Sequence, residues 1–219
     1  MQRLIVFDCD GTLVDSQHLI VAAAERAFVA HGLAPPPAPA VRAVIGLSLE
    51  IAFAELHPDS EFALRAMLVD SYRIAWRALR EEGVHEPLYP GALATLIELE
   101  RRGHLLGVAT GKSRPGLLHV LDRHGLTPLF VSLQTADRHP SKPHPSMLQE
   151  AMRETGSEPD ATLMVGDTSF DMAMASAAGT GAVGVAWGYH PAGALADAGA
   201  TVILERFEDL LELVSDDAG

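Results

Sequence analysis

The chain has 219 residues, of which 48% are hydrophobic and 21% charged, a composition typical of a globular protein. Its formal net charge of −13 argues against nucleic acid and against an anionic membrane surface as partners, because both attract Lys and Arg. No apolar run reaches the roughly 18 residues that span a bilayer. The single cysteine, Cys9, rules out an internal disulfide framework and fits a reducing cytoplasm. We therefore expect a cytoplasmic monomer or homodimer.

Short apolar runs alternate with stretches of helical pattern along most of the chain. The runs predicted as strands are 4–7, 105–109, 129–133, 163–165, 182–186 and 202–204. The helical stretches between the later runs are 91–102, 114–124, 145–155 and 169–178. This alternation predicts an α/β fold with a doubly wound, mostly parallel sheet, a Rossmann-like core with helices on both faces. Ligands in such folds bind outside the carboxyl ends of the strands.

The alternation breaks after the first strand, because residues 15–87 contain no convincing strand. Helical patterns in this segment begin after Ser16 and also cover 49–56 and 62–79. Since the segment is far too long for a simple crossover, we predict a helical cap domain at 15–87. The Rossmann-like core would then comprise residues 1–14 and 88–219.

Two acids follow the first strand. Asp8 and Asp10 are one residue apart, so a continuing pleat would point both side chains to the same side. Gly11-Thr12 then permits a tight turn. Two carboxylates this close need a compensating cation or a shared proton, and Mg²⁺ prefers carboxylate and phosphate oxygens. A loop with two exposed acids is the alternative.

Polar residues also follow the next strands. Thr110 and Gly111 offer a hydroxyl and a bare amide that together can hold phosphate oxygens. Lys142 stands on a loop stiffened by Pro143 and is either a surface charge or a fixed cation beside Asp8. Lys112 follows a sequence similar to a nucleotide P-loop, but the glycine that the motif requires five residues before Gly111 is a leucine. We therefore expect Lys112 to be a solvated turn lysine.

A second acid pair, Asp167 and Asp171, follows the run 163–165 at the start of a helix. The four-residue spacing places both acids near the helix N-terminus on one side. One of them can cap the helix and the other can complete the oxygen ligands of a metal. Capping alone does not explain two acids.

Taken in order, these motifs resemble the signatures of the haloacid dehalogenase superfamily of phosphatases. Asp-x-Asp-Gly-Thr-Leu-Val-Asp-Ser at 8–16 looks like the first signature, and Thr110 like the second. Lys142-Pro143 looks like the third, and Gly-Asp-Thr-x-x-Asp at 166–171 like the fourth. The segment 15–87 looks like the type-one cap of the family, and the whole is most similar to phosphoglycolate-phosphatase-like members.

The resemblance implies a phosphoric monoester hydrolase that acts on a small phosphorylated metabolite through an aspartyl-phosphate. Asp8 would be the nucleophile and Asp10 the general acid and base. Mg²⁺ would bind Asp8, the backbone carbonyl of Asp10 and Asp167, with Asp171 as a direct ligand or a neighbour of one. Lys142 and Thr110 would complete the catalytic set. The residues implied in phosphate binding are Gly11, Thr110, Gly111 and Lys142.

Two other functions stay open at this point. A sugar phosphomutase of the same superfamily would use the same catalytic residues, but its cap would have to retain a bisphosphate intermediate. A phospho-accepting signalling protein also uses acids, a Thr and a Lys on a parallel sheet, but it needs neither Asp10 nor a cap.

Substrate choice should depend on the cap. The turn 44–48 either forms its tip over the site or is a plain interhelical turn. Arg42 either meets a substrate carboxylate or lies exposed. Residues 187–190 either line the entrance or pack as aromatic side chains.

Overall fold

A six-stranded parallel sheet organises the molecule. The structure, a computed structural model, describes residues 2–216, with Asp216 described by its backbone alone. The strands are β1 (Leu4–Phe7), β2 (Leu105–Thr110), β3 (Ser132–Thr135), β4 (Thr162–Gly166), β5 (Gly181–Val185) and β6 (Val202–Leu204). Their order across the sheet is β3-β2-β1-β4-β5-β6. The predicted α/β fold is confirmed.

Helices connect the strands and cover the sheet. The helices are α1 (Gln17–Ala30), α2 (Ala38–Ala43), α3 (Leu49–Leu56), α4 (Phe62–Glu81), α5 (Ala92–Arg101), α6 (Arg114–Arg123), α7 (Ser146–Thr155), α8 (Ser169–Ala178), α9 (Ala192–Asp197) and α10 (Asp209–Asp216). Within residues 2–216, no helix has both the length and the apolar character that crossing a membrane requires.

The central strand positions the site. β1 pairs with β2 on one side and β4 on the other, so that Phe7 lies beside Val108 and Val165. All four β1 residues are buried, which explains their continuous apolar run. The strand order reverses between β1 and β4, and such a switch point opens a crevice at the carboxyl ends of the strands.

One strand differs from its prediction. The run 129–133 was expected to form it, but Thr127–Leu129 forms a short 3₁₀ helix and β3 begins at Ser132. This strand buries polar residues, which an apolar-run criterion overlooks. Glu154 of α7 makes their burial possible, because its Oε2 accepts hydrogen bonds from Ser132 Oγ and Gln134 Nε2, both at 2.7 Å.

The helices α1 to α4 fall within residues 15–87 and share a hydrophobic cluster of their own. Its centre is aromatic: the Phe28 ring lies 6.0 Å from Phe53, which meets Tyr72 edge-on at 5.7 Å. The two ends of the segment meet, since Asp15 N donates to Pro87 O at 2.9 Å. These features fit an inserted unit, and the division into core and cap at 15–87 stays a prediction.

Candidate active site

Asp8 lies immediately beyond the end of β1, and its backbone N–H continues the sheet by donating to Val165 O at 2.9 Å. Its side chain is only 1% exposed. Lys142 Nζ lies 3.0 Å from Oδ1, whereas Oδ2 contacts no hydrogen-bond donor of the described residues. Burial raises the pKa of Asp8 to about 7, Lys142 opposes this rise, and Asp171 and Asp10 add to it.

Lys142 is a buried cation shared by two carboxylates. Its Nζ lies 3.0 Å from Asp8 Oδ1 and 2.6 Å from Asp171 Oδ1. Burial alone would lower the pKa of the ammonium, but attraction to Asp171 and Asp8 outweighs it and raises the pKa. The interpretation as a surface charge is therefore wrong, and Lys142 stands beside Asp8.

The second acid pair lies at the carboxyl end of β4. Asp167 accepts hydrogen bonds from Thr12 Oγ1 and Tyr189 N, both at 2.9 Å. Asp171 does two things at once: Oδ2 accepts from Thr168 N at 3.0 Å in a capping box, while Oδ1 pairs with Lys142. The sequence predicts that one acid caps the helix and the other belongs to the site. In the structure, Asp171 does both.

The acids Asp8, Asp167 and Asp171 form a cluster suited to a metal. One carboxylate oxygen from each lies within 4.8 Å of the others, and all three residues are buried. Burial, followed by repulsion from Asp8 and Asp171, raises the pKa of Asp167 well above its usual range. Lys142 pairs with Asp8 and Asp171, and within residues 2–216 no donor reaches Asp8 Oδ2. Oxygen ligands of this kind fit a hard divalent cation.

Asp10 points away from that cluster. Its Oδ1 accepts a short hydrogen bond from Ser16 Oγ and lies 2.9 Å from Lys112 Nζ. Ser16 precedes α1, as predicted. Its hydroxyl donates to Asp10 Oδ1 and does not cap the helix. The carboxylate of Asp10 is therefore outside the metal-sized cluster, and a role for its backbone carbonyl as a metal ligand stays a prediction.

The expectation that Lys112 is a solvated turn lysine is wrong. Its side chain is 9% exposed, and its Nζ lies 2.9 Å from Asp10 Oδ1, 3.0 Å from Glu86 Oε1 and 4.6 Å from the centre of the Trp76 ring. Burial lowers the pKa of Lys112, but Asp10 and Glu86 more than compensate and raise it. Glu86 was missed because its partner is distant in sequence. One indication of this site is present in the sequence: Lys112 follows a strand directly but belongs to no complete P-loop motif.

The remaining predicted residues also lie at this edge. Thr110 is fully buried, and its Oγ1 accepts from Lys112 N at 3.2 Å. Gly11 has φ +85°, and a Cβ there would overlap the Asp167 carboxylate. A Cβ on Gly111 would lie 2.5 Å from Leu47 O, so a glycine is required there by the turn above it.

The turn 44–48 joins α2 to α3 and lies directly over the strand ends. Besides its approach to Gly111, Ser48 N donates to Ser141 Oγ at 2.9 Å. A Cβ on Gly46 would lie 3.1 Å from Thr168 Oγ1. The interpretation as the tip over the site is therefore correct.

Residues 187–190 contact the loop after β1 and the acid Asp167. Trp187 packs against Phe207 with ring centres 4.9 Å apart and donates from Nε1 to Thr12 O at 3.1 Å. The Tyr189 hydroxyl accepts from Ser16 N at 2.9 Å. Gly188 was not singled out from the sequence, although a Cβ there would overlap Asp167. The packing interpretation is correct for Trp187.

A cavity of about 370 Å³ lies between helices α1 to α4 and the strand ends. Asp10, Gly111 and Lys112 line its core side. Arg42, considered above as a substrate contact, is not among the lining residues. The arginines that do line it are Arg73, Arg77 and Arg80 of α4.

A parallel sheet with a buried acid cluster and a lysine at its switch point defines a hydrolase-like centre for a divalent metal. The family model described as "Haloacid dehalogenase-like hydrolase" matches residues 5–185, so the chain belongs to this family. The chain is 36% identical to the "Probable phosphatase IndB" of Dickeya dadantii (strain 3937), with 96% of this chain and 93% of that protein covered.

Two further comparisons agree. The chain is 30% identical to the "Phosphoglycolate phosphatase" of Vibrio vulnificus (strain CMCP6), over 97% of this chain and 96% of that protein. Among solved structures, a hydrolase from Pseudomonas syringae superposes with a TM-score of 0.88 at 26% identity and covers all of both chains. The resemblance noted in the sequence is confirmed.

Proposed function

We propose that this protein is a Mg²⁺-dependent phosphatase that hydrolyses a small phosphomonoester through an aspartyl-phosphate on Asp8. The observation that carries the proposal is the Asp8 carboxylate, which is buried beside Lys142 with Oδ2 unpartnered among the described residues. Relatives named as phosphatases support the same reaction class. Phosphoryl transfer depends mainly on positioning and charge stabilisation, which buried ions at a strand end can supply.

The metal would be held by Asp8 and Asp167, with Asp171 near them. When bound, Mg²⁺ neutralises negative charge on the phosphoryl oxygens and on the acids. Lys142 supplies a fixed positive charge 3.0 Å from Asp8 Oδ1. The phosphoryl oxygens would also meet the Thr110 hydroxyl and the Gly111 amide.

In the first step, an Asp8 carboxylate oxygen forms a bond to phosphorus while the bond from phosphorus to the ester oxygen breaks. The leaving alkoxide takes a proton from Asp10. In the second step, Asp10 accepts a proton from water as the water oxygen attacks phosphorus. The bond between phosphorus and Asp8 then breaks, which releases phosphate and restores both carboxyl groups.

Two observations support the proposed role of Asp10 in proton transfer. Only its Oδ1 is hydrogen-bonded within the described part of the chain, to Ser16 and Lys112. Asp10 also lines the cavity, where a leaving group would lie. A phospho-accepting signalling protein has no use for such an acid, which favours an enzyme. A cytoplasmic location stays a prediction.

The test is phosphate release from a panel of phosphoglycolate, sugar phosphates, nucleotides and pyrophosphate, with Mg²⁺ and with a chelator. We expect release from at least one monoester only with Mg²⁺, and none from Asp8→Asn. Asp160→Asn, at an exposed aspartate before β4, is the matched control and should retain activity.

Turnover retained in Asp8→Asn would contradict the mechanism. If a sugar phosphate is isomerised without release of phosphate, the protein is a phosphomutase of the same family and not a phosphatase.

A further inference from the structure

The cavity above Asp10 has a wall that is mostly apolar. Its volume of about 370 Å³ is that of roughly a dozen water molecules and falls in the range of small-molecule pockets. Aliphatic and aromatic side chains of the helical segment form most of the wall: Ile20, Val41, Ile45, Phe53, Leu56 and Tyr72. A leaving group without apolar surface would gain little from such a wall.

Three arginines interrupt this wall on one side of α4. Arg73 is already neutralised, because its guanidinium lies 3.0 Å from Glu50 and 3.1 Å from Asp70. Among the described residues, Arg77 donates to the Arg73 carbonyl alone, at 3.3 Å. Within residues 2–216, no carboxylate pairs with Arg77 or Arg80.

Acids outnumber bases in the chain by 29 to 16, yet neither of these two cavity-lining guanidinium groups has a carboxylate partner among the described residues. The acid that raises the pKa of Arg80 is Glu86, whose carboxylate already pairs with Lys112 at 3.0 Å. Burial lowers the pKa of Arg80. Glu86 opposes this decrease, whereas the positive charge of Arg123 lowers the pKa further. An anionic ligand group would relieve this repulsion.

The two arginines follow Trp76 on α4 and line the same cavity as Asp10. Trp76, next to Arg77, already reaches Lys112 beside Asp10. Arg80 follows four residues after Trp76, which corresponds to about 6 Å along the helix. An anion held by Arg77 or Arg80 would therefore lie in the cavity that Asp10 and the apolar side chains also line.

Given the proposed phosphatase function, on which this step rests, we infer a substrate class. The structure assigns a leaving group that is larger than glycolate and carries both apolar surface and an anionic group. The apolar part lies against Phe53 and Tyr72, and the anionic group, a carboxylate or a second phosphate, binds Arg77 and Arg80. Glycolate, which has only two carbon atoms, would leave most of this cavity of about 370 Å³ unfilled.

Two alkyl phosphates of matched size and leaving-group chemistry test this assignment: 4-carboxybenzyl phosphate and its neutral analogue 4-carbamoylbenzyl phosphate. Phosphoglycolate serves as the short anionic comparison. We expect kcat/KM for the carboxylate to exceed that for the amide by about tenfold to a hundredfold, as one or two charge-assisted hydrogen bonds provide. Phosphoglycolate should be a poorer substrate than 4-carboxybenzyl phosphate.

Substitutions of the two arginines test whether they cause the preference for the carboxylate over the amide. Arg77→Gln and Arg80→Gln, singly and together, should bring the ratio of carboxylate to amide towards one. They should lower kcat/KM for the carboxylate much more than kcat/KM for the amide. Arg65→Gln, on the same helix but away from the cavity lining, should keep the full ratio.

A ratio near one in the unmodified enzyme, or one that survives the double variant, would overturn the assignment. Better hydrolysis of phosphoglycolate than of 4-carboxybenzyl phosphate would also overturn it. In these cases phosphate release that depends on Asp8 would leave the phosphatase function standing. Absence of release from every ester would overturn both.

Discussion

Replacing Lys142 with Met removes the one positive charge inside the acid cluster while keeping a side chain of similar length. Lys142 Nζ lies 3.0 Å from Asp8 and 2.6 Å from Asp171, and all three side chains are buried. Breaking a buried ion pair by removing one partner costs about 3–5 kcal/mol. We therefore expect Lys142→Met to lower the free energy of unfolding by about that amount at pH 7.5 without metal.

The pH dependence of this loss separates charge from packing. Without Lys142, the folded carboxylates hold protons at a pH where the unfolded chain has released them, so stability rises as pH falls. Urea unfolding at pH 7.5 and pH 5 should show a clearly smaller loss at pH 5. Arg153→Met, which breaks an exposed pair with Glu150, should cost less than about 1 kcal/mol at both. A loss in Lys142→Met that is independent of pH would refute the reasoning.

Two further predictions concern the metal and the turn. Since the pKa of Asp8 is about 7 in the folded protein against an ordinary 3.8, the metal-free protein should lose stability, on the order of 4 kcal/mol, as pH rises from about 4 to about 7. Mg²⁺ should restore more stability at pH 7.5 than at pH 5 in urea unfolding, and an equal effect would contradict this. Gly111→Ala would place a Cβ 2.5 Å from Leu47 O, so kcat/KM should fall at least about tenfold. Gly116→Ala, whose Cβ would meet only ordinary contacts, is its control, and equal kinetics in the two variants would count against the turn.

The catalytic edge of the sheet could be predicted because its signals are local. A buried parallel strand has a continuous apolar run, and Asp8, Thr110 and Asp167 follow three such runs directly. Adjacent parallel strands bring their carboxyl ends together, so the sequence order of these residues translates into proximity. Lys142 follows a strand by several residues, and only its place in the set of motifs pointed to the site.

The interactions that could not be predicted are those between segments distant in sequence. Lys112 is buried because Glu86, 26 positions away, supplies a buried carboxylate. β3 can bury Ser132 and Gln134 because Glu154 accepts hydrogen bonds from both side chains. The local sequence predicts a solvated side chain in the first case and a loop in the second. A partner distant in sequence makes burial favourable in both cases, because it satisfies the buried polar groups.

The location of the transferred phosphoryl group tests the central claim most directly. The Asp10→Asn variant lacks the base for the second step, so phosphorylated enzyme should accumulate when it is mixed with a labelled substrate that has a good leaving group. Acid quenching and peptide mapping should place an acid-stable, base-labile acyl phosphate on Asp8. Absence of label, or label on another residue, would contradict the account.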